Sequence, residues 1–295
     1  MHSMPVSGSC PKGESLKSTA SQMHESPIEL AYLSCRRHAA PVHAIGALAR
    51  LHLDTEGLEV DLTILPDADG VRTLILNRPD RRNALNAALA QSLIDALRQA
   101  NSDPQVGAVL IGGNGKLFCA GADLAEIKAE ADDPQAKVRR SDVFLQLQLV
   151  FGEVDVPVVC AVEGAAIGLG VSIAIASDFT VMGQSARLAL PEIAHGMLPS
   201  GVMGHVQHRL GRKEAFEMLA LGQPMMAAQA LEKGLVNRVV PDGQALDEAR
   251  AFARTFAGHD RATMRGTKRL FVDTVNMPLR EGLLAARESV RRRSL

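Results

Sequence analysis

The sequence predicts an α/β fold, because short apolar runs alternate with segments of helical periodicity. Residues 71–76 form one apolar run, and a proline-containing turn follows it. Asn86 is a typical N-cap residue, and apolar residues recur at helical spacing from 89 to 100. Two further apolar runs, at 106–111 and 156–162, are typical of buried strands. We therefore expect strands and helices to alternate along the chain.

The chain divides by composition into three regions. Residues 1–55 are serine-rich and lack a sustained apolar pattern, so we expect a disordered extension there. Apolar patterning begins near Leu58, and we expect a folded core over residues 56–245. A helical C-terminal region is expected over residues 246–295, and the chain from about Arg212 onward should be entirely helical. With 46% hydrophobic residues among 295, the chain can bury a substantial core.

Charge and composition argue against several classes of partner. The 32 basic residues nearly balance 33 acidic ones, so no basic surface is expected for nucleic acid or an anionic membrane. Aromatic residues are 3%, which disfavours base stacking. The longest apolar stretch, residues 165–176, is shorter than the roughly 20 residues that cross a bilayer. The N-terminal residues lack the pattern of a secretory signal peptide, so we expect a cytoplasmic protein. The histidines show no spacing typical of metal ligands, so we expect no bound metal.

Three segments are candidates for a common site: residues 76–86, residues 118–124, and residues 161–170 with their continuation at 190–199. Glycines in the third segment permit positive φ and close backbone approach. Such a turn at a helix start presents free N–H groups, the donors that stabilise negative charge developing on an oxygen. In the third segment Glu192 lies in apolar sequence, where burial would raise its pKa toward the range useful for acid–base catalysis. The segments therefore suggest an oxyanion-binding enzyme.

In order and separation, these segments resemble those of the crotonase family, the enoyl-CoA hydratases and isomerases, from about Leu58 to the C-terminus. The resemblance implies a spiral of repeated strand-strand-helix units with a C-terminal helical part, assembled as a homotrimer or hexamer. It also implies an acyl-CoA substrate of fatty acid metabolism, with the thioester oxygen held between the N–H groups of Ala122 and Leu169. Glu192 would move the proton. No cofactor is implied beyond coenzyme A as part of the substrate.

The resemblance also suggests where the coenzyme binds. The expected coenzyme contacts are Arg78, Arg82, Ala84, Ala120, Asp123 and Leu124. The arginines near the first turn suit the coenzyme's phosphates. Ala125 is a departure, because the family often has lysine at this position. The apolar stretch at residues 144–151 would either line the acyl pocket or belong to the core.

Ser172 is the main departure from the family pattern, since typical hydratases carry a second catalytic glutamate there. One carboxylate suits a proton shuttle between two carbons, so the resemblance to isomerases is closer. A hydratase with a single glutamate is an alternative. A second alternative is a serine hydrolase that uses Ser172 with His195 and Asp178, because residues 170–174 loosely resemble a nucleophile elbow. A third alternative is a non-catalytic protein that only binds acyl-CoA.

Overall fold

Most strands form one six-stranded sheet in the computed structural model, which describes residues 60–293. The expectation for residues 1–55 lies outside the described residues, and those described belong to the unit Glu59–Leu295. The strands are β1 (Leu62–Ala68), β2 (Val71–Leu76), β3 (Ala108–Gly113), β4 (Val158–Val162), β5 (Ala165–Ile167), β6 (Phe179–Gly183), β7 (Arg187–Ala189), β8 (Met225–Met226) and β9 (Arg238–Val240).

The six-stranded sheet has the order β1-β2-β3-β4-β6-β9. β1 and β2 form an antiparallel hairpin, and every other pair in this sheet is parallel. The remaining strands form a second sheet of order β5-β7-β8. Between β4 and β6 the chain forms a strand and a helix, so successive units add strands to both sheets. This arrangement agrees with the strand-strand-helix spiral that the sequence predicts.

Helices connect the strands and make up most of the C-terminal part. They are α1 (Ala87–Ser102), α2 (Leu124–Ala129), α3 (Pro134–Glu153), α4 (Leu169–Ala176), α5 (Ser200–Arg209), α6 (Arg212–Leu221), α7 (Ala227–Glu232), α8 (Ala245–Ala257), α9 (Arg261–Thr274) and α10 (Leu279–Arg293). Two short 3-10 helices lie at Pro79–Arg81 and Pro191–His195. The N-cap of α1 is Asn86, whose side chain accepts a hydrogen bond from the Leu89 N–H, as the sequence predicts.

Both faces of the main sheet are buried, which explains why its strands have continuous apolar sequences. In β3, Val109 and Ile111 belong to the larger core, which also contains α1 and α4. Ala108 and Leu110 point to the opposite face, because side chains alternate along a strand. There the partner is α8, which presents three buried alanines at helical spacing, Ala245, Ala249 and Ala253. Their small side chains allow α8 to pack closely on the sheet.

The expectation of an entirely helical chain after Arg212 is wrong, because β8 and β9 lie in this part. β9 pairs with β6 over three residues and completes the main sheet. β8 has two residues and pairs with β7. Strands this short have too few residues to show an alternating pattern in sequence. Among the residues that the structure describes, no helix combines the length and the apolarity needed to cross a membrane.

Candidate active site

Two glycine turns meet at the centre of the candidate site. The chain at residues 118–123 runs beside residues 165–167, and the Ile167 N–H donates to the carbonyl of Cys119 at 2.9 Å. On its other side, the Leu85 N–H donates to the carbonyl of Gly121 at 2.7 Å. Gly121 has φ +86, and a Cβ there would lie 2.8 Å from the Ile167 carbonyl oxygen. Only glycine therefore allows the two turns to approach this closely.

Each turn presents one backbone N–H beside a common cavity. Ala122 follows Gly121, and Leu169 is the first residue of α4; both line the cavity. Within residues 60–293, neither N–H donates to another group of the chain. Leu169 is at the positive end of the helix dipole, after Gly168 with φ +53. Two unused donors at the meeting point of two turns can bind an oxygen that carries negative charge.

The cavity has a volume of about 850 Å³. Its walls include both glycine turns, the two 3-10 helices, and residues of α2, α3 and α5. Of the stretch at residues 144–151, the side chains of Phe144, Leu145 and Gln148 line the cavity, whereas Leu147 is buried in the core. Different residues of this stretch therefore line the cavity and belong to the core, because a helix presents one face to each environment.

Glu192 lies on the second 3-10 helix and lines the cavity. Its Oε1 lies 3.0 Å from where a Cβ of Gly168 would be, so the carboxylate is next to the second glycine turn. Its Oε2 is shielded from solvent and has no hydrogen-bond partner among the described residues. Burial raises the pKa of Glu192, and its own backbone and the nearby His195 oppose this only in part. A carboxyl group whose pKa is raised in this way can both accept and return a proton during catalysis.

Five of the six expected coenzyme residues line the cavity, namely Arg82, Ala84, Ala120, Asp123 and Leu124. The sixth, Arg78, does not. Its guanidinium donates to the Ala84 carbonyl at 2.6 Å and to Asp123 at 3.0 Å, and it pairs with Asp61 at 3.2 Å. The structure therefore gives Arg78 an internal role, holding the cavity rim together, and leaves Arg81 and Arg82 beside the cavity.

Asp123 connects the first glycine turn to α2. Its side chain caps α2 by accepting from the Ala125 N–H at 3.0 Å. Burial alone would raise the pKa of Asp123, but the bonds from Arg78 and the Ala125 N–H hold it below the ordinary value. The carboxylate is therefore committed to structure, which separates its role from that of Glu192.

The residues of a serine hydrolase are not brought together. Ser172 lies on α4 with 2% of its surface exposed, it does not line the cavity, and its Oγ is 3.4 Å from the Gly201 carbonyl oxygen. Asp178 accepts from the Lys268 ammonium at 2.6 Å and from the Val158 N–H at 2.8 Å. His195 lines the cavity, whereas Ser172 and Asp178 do not. The geometry therefore disfavours a nucleophilic serine at residue 172.

The fold is shared with enzymes of known structure. The crystal structure of an enoyl-CoA hydratase from Mycobacterium smegmatis matches with a TM-score of 0.76 at 31% identity, covering 80% of this chain and 92% of that one. A putative enoyl-CoA hydratase from Thermus thermophilus is 37% identical over 220 residues, which are 73% of this chain and 86% of the relative. The 2,3-dehydroadipyl-CoA hydratase of Escherichia coli is 34% identical over 219 residues, 74% of this chain and 84% of the relative. The crotonase-like fold is thereby confirmed.

Residues 67–292 match the enoyl-CoA hydratase/isomerase family. The chain belongs to this family and is an enzyme of the kind that acts on acyl-CoA thioesters.

Proposed function

We propose that the enzyme moves a double bond in an enoyl-CoA, with Glu192 as the single proton carrier and the N–H groups of Ala122 and Leu169 as the oxyanion hole. The observation that carries this proposal is the position of Glu192 beside the second glycine turn, in the wall of the cavity that Ala122 and Leu169 also line. The two donors would hold the thioester oxygen, and the carboxylate would lie over the carbons next to it.

The chemistry needs one proton-carrying group. The Glu192 carboxylate removes a proton from C2 of a 3-enoyl thioester, and the electron pair moves onto the thioester oxygen to form a dienolate. Ala122 and Leu169 stabilise that oxygen through fixed dipoles. The protonated Glu192 then returns the proton to C4, the electrons re-form the carbonyl, and the double bond lies between C2 and C3. The raised pKa of Glu192 suits both steps.

Other carboxylates at the cavity are less suited to this role. Asp123 is bound to Arg78 and caps α2. Asp80 is exposed on the first 3-10 helix, where water stabilises its charge. Glu192 is the carboxylate whose burial favours proton uptake, and its Oε2 has no hydrogen-bond partner among the described residues.

Hydration of a 2-enoyl thioester is the second candidate. It is supported by relatives whose names include hydratase, at 37% and 34% identity. It is also supported by His195, which lines the cavity three residues after Glu192 and could help to hold a water molecule. In a 3-10 helix, residues three apart lie on the same face, so both side chains can reach the same water.

A panel of thioesters tests the proposal. We expect conversion of 3-enoyl-CoA to 2-enoyl-CoA to be faster than addition of water to 2-enoyl-CoA, with both followed by chromatography of the products. Hydration that exceeds isomerisation would favour the second candidate. Binding of the thioesters without any turnover would identify a non-catalytic acyl-CoA binding protein.

We also expect a homotrimer or hexamer. Exposed apolar side chains on the last two helices and at the C-cap of α9 support self-association, since large apolar patches usually mark interfaces. They are Phe271, Val275, Leu279, Leu283 and Leu284. Sedimentation measurements would test this, and a monomer at micromolar concentration would contradict it. The cytoplasmic location and the part in fatty acid metabolism stay predictions from the sequence.

A further inference from the structure

One face of α3 forms a wall of the cavity. The residues of this face that line it lie at spacings of three and four, as a single helical stripe requires: Lys137, Arg140, Ser141, Phe144, Leu145 and Gln148. The stripe changes character along its length, because cationic side chains lie at its N-terminal end and apolar side chains lie in the middle. Lys137 is seven residues before Phe144, or about 10 Å along the helix axis. The cavity therefore has a cationic region separated from its apolar part.

Arg140 places a positive charge in this wall. Only 11% of its side chain is exposed, and its guanidinium forms an ion pair with Glu130, which does not line the cavity. Glu130 caps the C-terminal end of α2. The ion pair therefore holds the guanidinium between α2 and α3, beside the cavity that Arg140 lines.

Lys137 adds a second cation one turn earlier. Its side chain is exposed, and it has no ion-pair partner within the part of the chain that the structure describes. The neighbouring Arg139 is different, because it lies off the cavity wall and pairs with Asp133 at 3.5 Å. Lys137 is therefore free to bind an anion from the cavity, whereas Arg139 provides a matched control on the same helix.

A separate cationic group lies on another element. Arg81 and Arg82 line the cavity at the first 3-10 helix and suit the phosphates of the coenzyme. Coenzyme A carries its phosphates at one end only, and Lys137 and Arg140 lie on a different wall element from Arg81 and Arg82, on the helix that also carries the apolar lining residues. A carboxylate is the anionic group that an acyl chain can carry, and lysine and arginine are its usual partners.

We propose that Lys137 and Arg140 bind an anionic group distant from the thioester, and that this group is a carboxylate at the far end of the acyl chain. The inference rests on the proposed function, since it assumes an acyl-CoA in this cavity. Phe144 and Leu145 would contact the methylene groups between the two polar ends. The preferred substrates would then be thioesters of dicarboxylic acids, with one carboxyl group free.

Binding of unreactive analogues tests the proposal without requiring turnover. Saturated acyl-CoA thioesters of six and eight carbons are compared by calorimetry at low salt, in pairs that end in either a methyl group or a carboxylate. We expect the full-length protein to bind the carboxylate member about tenfold more tightly. Lys137→Met should reduce the ratio of the two affinities by about threefold to tenfold, as expected for one charge partly exposed to water. Arg139→Met should leave it unchanged.

A second variant tests Arg140 without leaving a buried charge unpaired. The double variant Arg140→Met with Glu130→Gln removes both members of the ion pair, so the fold should survive. In this double variant the preference for the carboxylate-ended thioester should be lower than in the unmodified protein, by a factor similar to that expected for Lys137→Met. Lys137→Glu should reverse the preference, because like charges would then face each other.

The coenzyme's phosphates are the other source of an anion, and the same measurements distinguish them. If Lys137→Met weakens both members of a pair equally, and weakens free coenzyme A as well, the cations serve the phosphates and the proposal is overturned. Equal or tighter binding of the methyl-ended thioester by the unmodified protein would also overturn it. Failure of every thioester to bind would instead remove the proposed function, and this inference with it.

Discussion

Gly121 is the point where the two glycine turns of the site touch, so a single added methyl group should separate the two proposed oxyanion donors, Ala122 and Leu169. In Gly121→Ala the new Cβ would lie 2.8 Å from the Ile167 carbonyl oxygen and 3.4 Å from its carbon. A real Cβ essentially never approaches an atom under 3.0 Å, and backbone cannot rotate away as a flexible side chain can. The turns must therefore move apart.

The size of the effect follows from these distances. Ordinary van der Waals contact begins at 3.4 Å, so the turn must shift by about 0.6 Å. Oxyanion donors act over a window of about 2.7–3.1 Å, which is narrower than this shift. We expect turnover to fall by about 10²- to 10³-fold, the usual cost of losing one donor. The positive φ of Gly121 adds about 1–2 kcal/mol of lost stability for any residue with a Cβ.

The assay is steady-state turnover of an enoyl-CoA, with thermal unfolding measured on the same samples. The loss should fall mainly in kcat, because the donors act most strongly on the enolate oxygen. Gly152→Ala is the matched control, since nothing lies within 4 Å of the Cβ it would add. It lies in α3, where alanine is the better helix former, so stability should rise slightly and turnover should not change. A stable Gly121→Ala enzyme with unchanged kcat would remove Ala122 from the site.

Four further predictions concern charge and burial. The raised pKa of Glu192 means that kcat/KM should fall as pH decreases, with the midpoint above the ordinary glutamate value; a midpoint at or below that value would contradict its desolvation. The folded protein binds this proton more tightly than the unfolded chain, so the stability it contributes is lost as pH rises through the raised pKa. Thermal scans should therefore show Glu192→Gln more stable than the unmodified enzyme at neutral pH, with the advantage disappearing in acid. Lys268→Met should cost about 3 kcal/mol in denaturant unfolding, because it leaves the Asp178 carboxylate without its ammonium partner; a cost under about 1 kcal/mol would count against this. Ser172→Ala should change turnover less than about threefold, because Ser172 does not line the cavity; loss of activity would revive the serine mechanism.

The parts of the fold that the sequence predicts well are those with long, regular patterns. One is the apolar run of β2. Another is α1, where the N-cap Asn86 and the periodic apolar face both indicate the same helix. β1 has no such signal, because four of its seven residues are exposed and its alternation is interrupted by Pro66. β9 is a three-residue strand whose pairing with β6 depends on a distant segment. Short strands of this kind are decided by tertiary contacts, which a local pattern does not contain.

The site shows the same division. The glycine turns and Glu192 are predictable because they are contiguous motifs whose chemistry follows from their residue types. The internal role of Arg78 is not, since Asp61 and Asp123, which hold it, lie 17 and 45 residues away in the chain. The cationic end of the α3 wall is also absent from any motif. In the sequence, Lys137, Arg140 and Phe144 are spaced as residues on one face of a helix. That spacing does not show which face of the helix lines the cavity.

Glu192 is proposed to carry the proton, and Glu192→Gln removes the group that would do so. Glutamine keeps the shape of the side chain and removes the ionisable group, so affinity for coenzyme A should be retained. We expect turnover to fall by about 10⁴-fold, at the upper end of the range for a general acid–base group. Glu217→Gln is the control, since Glu217 is exposed on α6 and does not line the cavity. A Glu192→Gln enzyme that keeps more than about a tenth of its turnover would show that Glu192 is not the proton carrier.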